Sequence, residues 1–100
     1  MDITKLMKQA SQLQANLKQV TQEVNSLEFT ETHNDLISCT IKGDLSITNI
    51  NINESLLEPS NKEILEDYLK LVINNALTKA TNYKEEKMKG LTGGLNIPGL

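Results

Sequence analysis

Side chains able to do covalent chemistry are scarce in this chain. Its 100 residues hold one histidine, one cysteine and ten basic residues, all of them lysine. His33 falls in a predicted turn with no catalytic partner at a useful spacing, and reads as an exposed turn residue. Cys39, within an apolar run, reads as a small buried residue. It has no second cysteine for an internal disulfide and no ligand at metal-binding spacing. Glu63, Glu66 and Asp67 sit where a helix should begin, and carboxylates there offset the helix macrodipole. Gly93-Gly94 lacks the strand and helix context of a phosphate loop. No catalytic, metal or cofactor site is predicted, and no small-molecule substrate.

The lysines offer the other chemistry, neutralisation of a polyanion. The net charge is −3, yet the charge is unevenly placed. Residues 1–22 carry Lys5, Lys8 and Lys18 against Asp2 alone, and residues 68–100 carry Lys70, Lys79, Lys84, Lys87 and Lys89 against Glu85 and Glu86. Between them, ten acids face only Lys42 and Lys62. Screening confines a charge's influence to roughly 8 Å at physiological salt, so basic chain ends can meet phosphates although the whole molecule is acidic.

The elements that must position these lysines follow from periodicity. Ile3, Leu6, Ala10, Leu13, Leu17, Val20, Val24 and Leu27 recur in alternating steps of three and four, a heptad seam, with glutamines and lysines between and no Gly or Pro. This predicts a helix over residues 2–27, roughly 39 Å long. A compact domain of this size has a radius of gyration of only about 13 Å, so the helix should project, and its narrow seam calls for a helical neighbour. From Glu28 the period becomes two, predicting a strand, a turn at His33-Asn34-Asp35, a strand from Leu36 to Lys42, a turn at Gly43-Asp44 and a strand from Leu45 to Ile52. Apolar residues change faces within the third strand, which predicts a bulge near Thr48 or Asn49. After a short turn ended by Pro59, Ser60 and Glu63 suggest a capping box opening a second long helix, which Gly90 should stop near Lys89. Its first half is apolar on several sides and should be buried, while the half after Thr78 should project. The expected fold is α+β in the order α-β-β-β-α, with one domain over residues 1–90 and a Gly/Pro-containing tail over 91–100. With only three aromatic residues to build a core, a homodimer is expected on energetic grounds.

In that order of elements the chain resembles the YbaB/EbfC family of bacterial nucleoid-associated proteins. The matching pieces are Leu6-Met7-Lys8-Gln9-Ala10, Ile41-Lys42-Gly43, Ile52-Asn53-Glu54-Ser55-Leu56-Leu57, Leu65-Glu66-Asp67, Asn74-Asn75-Ala76, and Leu91-Thr92-Gly93-Gly94-Leu95 with Pro98-Gly99. The resemblance implies a homodimer whose strands form a central body and whose long helices project like the arms of tweezers, with DNA bound by those arms. The chain departs from the family at His33-Asn34-Asp35, where a Gly-rich turn is frequent, and in lacking arginine.

Lys5, Lys8 and Lys18 fall on the outer face of the heptad helix, and Lys79, Lys84, Lys87 and Lys89 join them if the second helix packs alongside. These seven are the predicted contacts to the phosphates of double-stranded DNA. Lysine is a point charge without arginine's planar fork, so reading of guanine, and with it strong sequence specificity, is not expected. The alternative is a coiled-coil adaptor or holdase that grips a protein through the seam and the tail. The polar N-terminal helix does not look like a secretory signal, and no apolar run is long enough to span a membrane. A cytoplasmic place is therefore expected, and the family resemblance implies the nucleoid.

Overall fold

The heptad segment forms the helix its spacing demands. In the computed structural model, which describes residues 2–92, α1 runs Ile3–Ser26 and is capped by Asp2, whose carboxylate accepts a hydrogen bond from the Thr4 amide at 3.1 Å. Strands β1 (Glu28–His33), β2 (Ile37–Lys42) and β3 (Ile47–Ile52) follow, then two short 3-10 turns and α2 (Lys62–Thr92). The strands pair antiparallel in the order β1-β2-β3, leaving β1 and β3 as edges.

Local chemistry explains both hairpins. Asn34 and Asp35 have φ of 51° and 55°, and Leu36 N–H donates to His33 C=O at 3.0 Å, so the first is a two-residue turn built from the residue types that tolerate left-handed backbone. In the second, the Asp44 carboxylate accepts from the amide and hydroxyl of Ser46. Ser46's hydroxyl, then its amide, hold the Asp44 carboxyl below its usual range. The expected bulge is present: Thr40 pairs with Asn49 and Ile41 with Ile47, so Thr48 is the extra residue, and Ile47, Ile50 and Ile52 all reach one face.

That face carries the core. Phe29, Ile37, Cys39 and Ile41 pack against Val72, Ala76 and Ala80 of α2, with Leu56 closing one end. Alanines at two successive turns of α2 let its axis lie close to the sheet. The opposite face is polar, and Thr30 and Thr40 join hydroxyls across it at 2.8 Å. α2 lies across β1 and β2, so Ile47 and Ile50 of β3 remain 47% and 41% exposed.

Three expectations are corrected. Ser60 lies inside the 3-10 turn Pro59–Asn61 that leads into α2, so it is not the helix cap; Pro59 starts that turn and Asn61 anchors it through a 2.7 Å bond to Ser55 C=O. Gly90 does not stop α2, which continues to Thr92. One glycine costs a helix only about 1 kcal/mol, too little to break a run that is otherwise favourable. His33 is half-buried at the end of β1, edge-on to Tyr68 with ring centroids 4.4 Å apart, and is no exposed turn residue.

The helices do project: the molecule measures 71 × 21 × 16 Å, and its radius of gyration of 19.5 Å far exceeds the compact value. Their direction is set at Gly43. Its amide donates to Leu27 C=O at 3.0 Å, and a Cβ on Gly43 would stand 1.8 Å from the carbonyl oxygen of Val24, which is only 2% exposed. The last turn of α1 therefore rests on bare backbone. Gly43→Ala is expected to cost about 3 kcal/mol, since backbone rather than a side chain must yield. Chemical denaturation checks this, with Gly90→Ala, where an added Cβ meets nothing within 4 Å, as the neutral or slightly stabilising control.

Candidate nucleic-acid interface

Helical spacing separates the two faces of α1. Leu13, Leu17 and Val20 are half-buried and Val24 is buried, whereas Lys5, Lys8 and Lys18 are exposed. Good helix formers around them, and a 3.3 Å bond from Gln19 to Glu23 one turn on, keep this face helical with its cations outward. From Lys5 to Lys18 the face spans about 20 Å along the axis, a length over which duplex DNA passes about a dozen phosphates.

The second set of cations stands on the outer half of α2, which packs beside α1. Tyr83 anchors that half: its ring meets Phe29 edge-on at 5.5 Å and 60°, tying the helix to the start of β1. Lys87 Nζ lies 5.5 Å from the centroid of the same ring, a cation–π contact that restrains the ammonium without neutralising it. Lys84 is half-buried, and Lys87 and Lys89 are exposed. Lys79 is set apart from these. It lies at the root of α2's projecting half, with its ammonium 3.7 Å from Glu31 of β1. Six of the seven expected lysines thus stand on one two-helix rod, and the seventh is partnered by an acid beneath it.

Tyr83 was missed as a positioning residue. Its signal was available, as the one aromatic residue in the polar half of α2, but its partner Phe29 lies 54 positions earlier in the chain.

Elsewhere the chemistry is sparse. Cys39 is fully buried, and burial pushes its thiol above the usual range, so it stays protonated. Among the described residues no three His, Cys, Asp or Glu side chains are grouped to hold a metal ion, and no helix is long and apolar enough to cross a membrane. A concavity of about 240 Å³ beside the first hairpin is lined by Thr32, Asp35, Ser38 and Asn51 among others, with no cation to meet a phosphate.

With this geometry in view, the relatives are informative. The family model described as the YbaB/EbfC DNA-binding family matches residues 1–95. A nucleoid-associated protein of Afipia carboxidovorans is 35% identical over 100 residues, covering 99% of this chain and 95% of its own length. One from Clostridium acetobutylicum is 38% identical, covering 99% and 89%, and one from Bartonella tribocorum is 39% identical over 98 residues, covering 97% and 92%. An uncharacterised protein from Helicobacter pylori shares the fold, with a TM-score of 0.77 at 17% identity over 91% of this chain and 97% of that one.

Tyr83→Ala should loosen the root of the rod and cost about 2 to 3 kcal/mol, since it removes a half-buried ring and an edge-on aromatic pair. Tyr83→Phe should stay within about 1 kcal/mol of the parent. Denaturant unfolding of both variants checks the contrast.

Proposed function

The chain belongs to the YbaB/EbfC DNA-binding family, and we propose that it is a nucleoid-associated protein whose homodimer grips duplex DNA through phosphate contacts from lysines on its helical rods. The observation that carries this reading is the placement of Lys5, Lys8 and Lys18 on the exposed side of α1 beside a helix bearing Lys84, Lys87 and Lys89. These cations stand on a rod whose seam is packed from Leu13 to Val24. Phosphate neutralisation releases condensed counterions, so such a surface binds DNA strongly at low salt and weakly at high salt.

Lys79 contributes less than Lys5, Lys8 and Lys18 in this reading, because Glu31 already offsets its charge. Sequence preference is low: without arginine, contacts to guanine lack the bidentate fork, and backbone contacts carry no base information. The relatives' names place them at the nucleoid, and we assign this chain the same location.

The second copy has a natural seat. β3 is an edge strand, and its exposed Ile47 and Ile50 continue the apolar face that α2 leaves uncovered. Pairing two copies there shields these side chains, removes a free sheet edge, and sets two rods on one body.

Two results test the proposal. The variant Lys5→Glu, Lys8→Glu, Lys84→Glu, Lys87→Glu should lose at least about a hundredfold in affinity for duplex DNA while keeping its far-ultraviolet spectrum and its mass in solution; unchanged affinity would place the interface elsewhere. Ile50→Asp should convert a dimer to a monomer in sedimentation equilibrium. A monomeric parent protein would refute the dimer.

A further inference from the structure

One column of side chains on α2 recurs every four residues, as Lys79, Tyr83 and Lys87. Positions four apart on a helix stand one above another, about 6 Å apart along the axis. Beneath this column β1 presents Glu31 and Phe29, two residues and therefore about 7 Å apart. The two spacings match, and the contacts fall in step. The Lys79 ammonium lies 3.7 Å from Glu31, and one turn on the Tyr83 ring meets Phe29 edge-on at 5.5 Å.

The next step carries Lys87 past the strand. β1 starts at Glu28, and position 27, two before Phe29, is a leucine. The row that offers Glu31 to Lys79 therefore ends without a second carboxylate for Lys87. Its ammonium instead lies 5.5 Å from the centroid of the Tyr83 ring, whose face attracts a cation without cancelling its charge. The ring is itself fixed: Phe29 is buried, and it pairs with Ile41 of β2. The position of the Lys87 ammonium is thus referred back to the sheet through Tyr83 and Phe29.

Such restraint matters to a phosphate contact. A lysine side chain has many rotamers, and ordering it on a partner costs free energy that a side chain already restrained has in part given up. Lys8 stands exposed on α1, and among the described residues neither an ion pair nor a ring contact holds it.

We propose that Tyr83 is a positioning residue for the DNA contact, its ring holding the Lys87 ammonium at a fixed place on the rod with its charge intact. Lys87 then contributes more to affinity than Lys8, and does so only while an aromatic ring stands at position 83. This role rests on the DNA-binding reading above and adds to it that the cations of the rod are not equivalent.

Affinity for one duplex at fixed low salt tests it in three backgrounds: the parent, Tyr83→Phe, which keeps a ring, and Tyr83→Leu, which keeps an apolar side chain without one. Lys87→Gln should cost about tenfold in the first two and only about threefold in the third, whereas Lys8→Gln should cost the same in all three. Equal losses from Lys87→Gln in Tyr83→Phe and Tyr83→Leu would overturn the positioning role and leave DNA binding by the rods standing. A loss from Lys8→Gln that shrinks in step with that from Lys87→Gln would also overturn it, since Tyr83 would then only brace the helix. Unchanged affinity in both lysine variants of the parent would overturn the DNA reading and this role together. A spectroscopic measurement without DNA completes the test. In the parent protein the ε-methylene protons of Lys87 should resonate upfield of those of Lys8 through the ring current of Tyr83; coincident shifts would overturn the proposal.

Discussion

Everything that projects from this molecule depends on how closely one carbonyl approaches one glycine. Val24 C=O lies where a side chain at position 43 would begin, and the Gly43 amide reaches past it to Leu27. Two backbones thus meet without a side chain between them, so the end of α1 is pinned to the turn joining β2 and β3. A helix fixed at one end by such a contact can leave the body only in a narrow range of directions. The outer half of α2 meets α1 because Tyr83, seated on Phe29, aims it from the same end of the sheet.

The body is economical in the same way. Its core is a single layer of β-strand side chains under a helix that presents Val72, Ala76 and Ala80. Small residues bring the helix close but limit how much sheet it can cover, and β3 is what remains. The exposed isoleucines of β3 have this origin, since the apolar pattern of the sheet runs further than the helix that covers it. In the proposed assembly a second copy covers these isoleucines.

Much of this was legible in the sequence because it is periodic. The heptad seam gave α1 to within a residue at each end, and the face switch in β3 located a bulge that the pairing of Thr40 with Asn49 and Ile41 with Ile47 shows directly. The outward placement of Lys5, Lys8 and Lys18 follows from the same seam. What was not legible depends on partners distant in the chain. Gly43 reads locally as an ordinary turn residue, and its close approach to Val24 exists only once the helix is docked. Lys79 counts with the other lysines until β1 brings Glu31 beneath it. Ser60 and Gly90 carry local signals for a cap and a stop, each worth about 1 kcal/mol, and a proline-led turn and the continuing helix outweighed them.

In the proposed function the rods hold the DNA backbone by charge, without reading bases. The most direct measurement is the affinity of the unmodified protein for several duplexes of unrelated sequence across a salt series. Backbone binding by charge gives parallel lines of log affinity against log salt, falling steeply by about 0.9 per phosphate neutralised and nearly coincident for all sequences. Absence of binding at low salt, or an affinity indifferent to salt, would contradict it.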